Sequence, residues 1–322
     1  MDEIFMILTR LLMGIGHLAL IVVAAPLVQG LIKKSKAFWQ MRQGPPILQP
    51  YRDLRKLMKK EELVSEHASW IFLLTPRIVL AGTLMAGLVI PGAWGWAPFS
   101  VWGDLFLFGA SLGLVRLFLT LAGLEGAGTF GGMGSSRELF IGLLTEPALL
   151  LGLIVLAFIT DATSLQGIMT GLQSVSPLDI SKILALIALG MVSIAEMGRI
   201  PMDNPDTHLE LTMIHEGMLL EYSGPSLALL NFAEQIKQLL LLVLLAQIIW
   251  PSGLIPLSDG LLGTLWALGF TGVKVAVLGF FFATVESLFV KRRLFRAPHY
   301  LATGTSAAIL ALISLWIIRG QI

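Results

Sequence analysis

Seven ionisable residues stand inside stretches of sequence that are otherwise apolar: Arg116, Glu146, Glu196, Glu234, Lys237, Lys274 and Glu286. Glu125 and Glu138 border two such stretches. An ionisable side chain at the centre of a membrane helix costs about 2.5–3.5 kcal/mol on insertion scales, so each needs a partner, water or a purpose. A carboxylate withdrawn from water exchanges its proton closer to neutral pH, which is what a proton relay requires. Glu234 and Lys237 are three residues apart, share a helix face and read as a structural ion pair. Arg116, Glu146, Glu196 and Lys274 have no local partner of that kind. Spread over several helices, they read as a polar file for protons or ions, with structural locking of helices as the other reading.

The composition says what must position these groups. Of 322 residues, 56% are hydrophobic and 13% charged, with a mean hydropathy of +0.83, against roughly 45–50% and 25% in a soluble domain. A soluble enzyme is excluded, and so is disorder. A net charge of +1 leaves no footprint for nucleic acid. Without cysteine there is no disulfide and no thiolate-held iron–sulfur cluster. The five histidines show no paired metal-ligand spacing. Met1-Asp2-Glu3 leads straight into an apolar stretch, which reads as a first span rather than a cleaved signal.

The fold class expected is an all-α polytopic membrane protein, one integral membrane domain over 1–322, with eight transmembrane helices. A spanning helix needs about 20 apolar residues. The candidate stretches are 7–32, 68–90, 102–124, 138–160, 180–198, 226–250, 261–290 and 299–319. Lys and Arg gather in the loops after the odd-numbered spans: nine lie in 33–67, four (Lys291, Arg292, Arg293, Arg296) follow the seventh span, and Arg137 and Arg199 stand in the other two. Loops 91–101, 161–179 and 251–260 hold none. The positive-inside rule then puts both termini outside and the long loops 33–67 and 199–225 in the cytoplasm. Trp39, Trp94, Trp96 and Trp102 read as interfacial anchors or as simple packing.

Both long loops are patterned. In the first, a Gly44-Pro45-Pro46 break precedes Leu54, Leu57 and Met58 at helical spacing among Lys and Arg, which predicts an amphipathic surface helix over 53–62. It would lie on acidic headgroups or under a docked protein. The second loop sets Asp203, Asp206, Glu210, Glu216 and Glu221 beside Glu196, against Arg199 alone, with His208 and His215 able to titrate near neutral pH. Its apolar positions from Thr207 to Tyr222 can form one helical face. The loop reads as a solvated connector, or as a folded cap bounded by Pro201 and Pro205 that delivers protons or contacts a partner.

At these loops the sequence resembles the membrane subunit shared by respiratory complex I, where it is subunit 1 or H, and the group 4 energy-converting NiFe hydrogenases of formate hydrogenlyase type. The first loop's R-x-GP and LQP-x-x-D-x-x-KL-x-x-K pattern is carried by Arg42, Gly44, Pro45, Leu48, Gln49, Pro50, Asp53, Lys56, Leu57 and Lys60. The second loop's pattern is carried by Glu196, Arg199, Pro201, Asp203, Glu210, Leu211, Glu221, Tyr222, Ser223 and Gly224. A third match comprises Ser136, Arg137, Glu138, Glu146 and Pro147.

The resemblance implies a subunit that anchors the hydrophilic redox arm and opens an ion path toward antiporter-like membrane subunits. Glu138, Glu146, Glu196, Glu210 and Glu221 would be its acids, joined by Asp203, Glu234, Lys237, Lys274 and Arg116. Arg42, Gln49, Asp53, Arg55, Lys56 and Arg199 would serve docking. The implied partners are hydrogenase-like large and small subunits and an iron–sulfur subunit. They would carry the NiFe centre and iron–sulfur clusters, and this chain would bind no cofactor. The implied location is a prokaryotic plasma membrane. A first loop shorter than in complex I, and DNPDTHLELTMIHEGMLLEYSG in the second, favour the hydrogenase branch over a quinone-chamber subunit. A stand-alone transporter would show internal repeats, and the two halves of this sequence are not alike.

Overall fold

The structure is a computed structural model and describes residues 2–66, 68–92, 95–99, 104–126, 128–200, 202–203, 214–251, 260–289 and 297–319. Expectations placed on Trp94, Trp102, Pro201, Pro205, Asp206, His208, Glu210, Leu211, Lys291, Arg292, Arg293 and Arg296 lie outside those residues. The described residues fold as α1 (Asp2–Trp39), α2 (Gln49–Met58), α3 (Trp70–Val89), α4 (Leu105–Glu125), α5 (Thr129–Thr160), α6 (Leu165–Gly171), α7 (Ile180–Glu196), α8 (His215–Leu219), α9 (Gly224–Ile249), α10 (Gly260–Leu288) and α11 (Ala297–Arg319).

The protein is an all-α polytopic membrane protein. Among the described residues, seven helices are long and apolar enough to cross a bilayer: α1, α3, α4, α5, α9, α10 and α11. The expected count of eight is corrected to seven. The missing candidate is α7, whose 17 residues rise about 26 Å against roughly 30 Å of hydrocarbon. It stops after Glu196 because Gly198 turns left-handed (φ +57°). The Arg199 amide then bonds the Ile194 carbonyl at 3.1 Å and the Gly198 amide bonds that of Ala195 at 3.0 Å, which closes the helix end.

Other boundaries moved for physical reasons. Residues 129–137, expected in a loop for their glycines, form the first turns of α5. Those glycines serve close packing: a Cβ on Gly131 would lie 2.6 Å from the Gly123 carbonyl, and one on Gly134 2.7 Å from that of Ile214. The amphipathic helix of the first loop begins at Gln49 rather than Asp53, because Pro50 occupies its first turn, where a missing N–H costs nothing. On the opposite side of the spans, Asp104, Ser164 and Asp179 cap α4, α6 and α7 by accepting from Leu107, Gly167 and Lys182 amides.

Neighbouring helices form a connected layer. α4 packs between α3 and α5, α5 meets α7, α7 meets α11, and α9 lies against α1, α3 and α10. The main core gathers Phe108, Leu149, Leu153, Leu189, Leu241 and Leu245 among many others. In the bilayer such packing draws on close contact rather than on the hydrophobic effect. The two long loops are clipped together: the Leu63 amide donates to Ser223 Oγ at 2.8 Å, Ser223 Oγ donates to the Leu63 carbonyl at 3.2 Å, and Ser226 donates to Glu62. Tyr222 stacks on Phe72 with ring centroids 4.1 Å apart and donates to the Phe72 carbonyl at 3.0 Å.

Candidate functional site

Arg116, on α4, points at α5 where Gly142 leaves a gap. A Cβ there would stand 2.6 Å from Arg116 Cδ. Glu138 and Glu146 lie one turn to either side of Gly142 on the same face of α5, so the guanidinium crosses the helix between two carboxylates. Its Nε donates to Glu138 Oε1 at 3.2 Å and its Nη1 to Glu146 Oε1 at 2.5 Å. Its Nη2 donates to Glu196, in the last turn of α7. The Arg116 and Glu196 side chains are 7% and 4% exposed. Glu146 is 44% exposed although it stands mid-helix. Pro147, next to it, has no N–H to give the Leu143 carbonyl, which loosens α5 at that level.

A second group adjoins the first. His215, at the start of α8, pairs through Nε2 with Glu234 Oε2 of α9 at 3.3 Å, and its backbone amide donates to Asp203 Oδ2 at 3.4 Å. Lys237 lines the same two small inner pockets as Glu138, Glu196, His215 and Glu234, one of which Arg116 also lines. The expected Glu234–Lys237 pair does not form, because the loop histidine takes the carboxylate instead. His215 lies outside the spans. Burial opposes its charged form, and the Glu234 carboxylate outweighs burial, so its pKa rises to about 8.

The third group is buried near the C-terminal ends of α1 and α10. Glu286 is held by Lys36 at 3.1 Å and by Arg199 at 3.6 Å, and Arg199 also donates to Gln29 at 2.8 Å and to Gln238 at 3.1 Å. Arg199, expected among the docking residues, is 9% exposed and belongs to this network. Lys36, Arg199, Gln238 and Glu234 line a cavity of about 400 Å³ beneath α2, together with Arg42 and Asp53. Glu234 therefore lines both that cavity and the inner pockets.

Other sequence-predicted residues lie elsewhere. Lys274 donates to the Trp250 carbonyl at 2.6 Å and sits over the Phe270 ring, so it closes the C-terminal end of α9. Glu221 is exposed and lies over Gly126 and Gly128, beside the clip that Tyr222, Ser223 and Gly224 build. Gln49 donates to Asp53 on its own helix at 2.8 Å. Arg55 and Lys56 are exposed on α2. The sequence analysis singled out Glu286 and His215 as ionisable without placing them in the path, and it did not single out Gly142, Lys36, Gln29 or Gln238 for the site. A signal existed for Gly142, since Glu138, Gly142 and Glu146 repeat at four-residue intervals.

The fold and this network define a multi-pass membrane protein that keeps linked charges inside its helix layer. The NADH dehydrogenase family model matches residues 12–318, and the chain belongs to that family, the one to which its loop motifs pointed. The chain is 32% identical to hydrogenase-4 component C of Escherichia coli K12 over 298 residues, covering 92% of this chain and 93% of the relative. It is also 32% identical to formate hydrogenlyase subunit 4 of the same organism over 294 residues, covering 90% and 94%. Its fold matches a chain of the structure of the membrane-bound sulfane sulfur reductase, an archaeal respiratory membrane complex. The TM-score there is 0.82 at 22% identity, covering 95% of this chain and 99% of the other.

Proposed function

We propose that this chain is the membrane anchor and ion-path subunit of a hydrogenase-like respiratory complex in a prokaryotic plasma membrane. It would hold the hydrophilic redox arm and couple electron transfer to proton or sodium translocation. The observation that carries the reading is Glu146, a carboxylate tied to Arg116 yet 44% exposed in the middle of a spanning helix. Such a group facing lipid is costly, and an antiporter-like partner with polar groups at that depth would cover it. The charges behind it, from Glu196 and Glu138 through His215 and Glu234 to the cavity beneath α2, would carry ions toward that flank. The long loops, which gather most of the Lys and Arg found between the spans, would face the cytoplasm. Exposed Arg55 and Lys56 would receive the redox arm, whose subunits would bear the NiFe centre and iron–sulfur clusters.

The cavity of about 400 Å³ beside the first loop favours a second reading, a quinone-chamber subunit. Eleven of its sixteen lining residues are polar or charged, whereas sites for apolar ligands are mostly hydrophobic. Purification of the complex in mild detergent through a tag on this chain, with mass spectrometry and metal analysis, tests the choice. Nickel and iron with hydrogenase-like subunits are expected. Iron without nickel, together with quinone-dependent activity, would replace the first reading by the second.

A further inference from the structure

We propose that His215 is the proton carrier between the cavity beneath α2 and the Arg116 carboxylate cluster, a role that rests on the ion-path reading above. Two spaces share Glu234, one partner of the ion pair with His215. Glu234 borders the larger cavity on the cytoplasmic side, and both Glu234 and His215 border the inner pockets that hold Glu138, Glu196 and Lys237. Among the described residues lining those pockets, the other ionisable groups are carboxylates, one guanidinium and one ammonium. The imidazole is the group that can accept at one nitrogen while donating from the other.

The step balances in protons. A proton taken up from the cavity onto Glu234 crosses the 3.3 Å contact to the bare ring nitrogen, leaving Glu234 a carboxylate and His215 an imidazolium. The proton on the other ring nitrogen then leaves into the inner pocket for Glu138 or Glu196, and the ring is neutral again. Turning the ring over presents its bare nitrogen to Glu234 for the next proton. The groups facing the ring are Glu234 and Lys237 on α9, Glu138 on α5, Glu196 on α7, Arg116 on α4 and Asp203, whose carboxylate holds the His215 backbone. A pKa of about 8 lets the ring exchange protons in the working range of a cytoplasm. The segment carrying it is bounded by Gly198 and Gly224, both with positive φ.

The test uses the whole complex, purified with its partners, reconstituted in liposomes and driven by dithionite-reduced methyl viologen. Proton uptake is followed with a pH dye and sodium uptake with a radioactive tracer. His215→Gln should cut proton uptake per turnover by about a hundredfold, the lower range of general acid–base effects. His215→Ala should recover uptake when imidazole is added, which a structural role would not allow. Wild-type uptake in His215→Gln overturns the proposal, as does uptake of sodium in place of protons. Glu196→Gln separates the levels: if it fails while His215→Gln works, only the histidine role falls, and if both work the ion path falls too. Should neither histidine variant assemble, the wild type decides, since uptake must decline above about pH 8, and an unchanged rate through pH 9.5 overturns the proposal.

Discussion

Gly142 sets the geometry of the charge cluster because only a hydrogen at its Cα lets the guanidinium pass. Gly142→Ala places a methyl 2.6 Å from Arg116 Cδ, and three carboxylates prevent the arginine from yielding. The expected loss is about 1–3 kcal/mol, read as a lower melting temperature of the purified complex. His215 gives a pH-dependent contribution with a definite sign. Its folded pKa, about 8, is above the ordinary 6.5, so the ring's contribution is full below pH 6.5 and is lost as pH rises through 8. The size is about 2 kcal/mol. Hydrogen exchange of amides 214–222 should accelerate between pH 7 and 9 beyond its intrinsic rate, and His215→Gln should abolish that excess. At this scale the sequence disclosed Arg116, Glu196, Lys274 and Glu286 as buried charges, because their cost in lipid is independent of neighbours, but not that Lys36 is buried or that Glu146 is 44% exposed. It did not disclose who pairs with whom. Glu234 had a helical neighbour in Lys237 and a distant one in His215, and only the folded loop decides between them.

The helices were legible where one apolar run fills one span, as in α3, α4 and α9. They were not where glycine has two meanings: the glycine-bearing stretch before residue 138 was expected to be a loop, yet Gly131 and Gly134 are contact points within α5, which begins at Thr129. The EYSG motif has a similar double character. Its tyrosine, serine and glycine fasten the two long loops, while Glu221 lies exposed beside them. Gly224 has φ +51°, and a Cβ there would stand 2.7 Å from the Glu61 carbonyl. Gly224→Ala should therefore cost roughly 1–2 kcal/mol for the left-handed backbone alone and should open the clip. Limited proteolysis of residues 59–66 would show it as faster cleavage. On α2, Arg55→Ala with Lys56→Ala should weaken retention of the soluble arm. In washes at rising salt the arm should leave the variant membranes at lower ionic strength than the wild type.

For the whole molecule, the linked groups run from Lys36, Glu286 and Arg199, past Glu234 and His215, to Arg116 and out at Glu146. Breaking one partner of a buried pair is expensive, so a variant that tests transport must keep size and hydrogen bonding and remove only the titrating proton. Glu196→Gln comes nearest to that condition: it gives up the charge but keeps the size and an oxygen to accept from Arg116, whose guanidinium stays paired with Glu138 and Glu146. The complex containing it should assemble normally, and transport of protons or sodium per electron, measured in reconstituted liposomes, should fall by at least about tenfold. Assembly together with an unchanged ion-to-electron ratio would contradict the account, leaving the buried charges as a lock between helices and not a path.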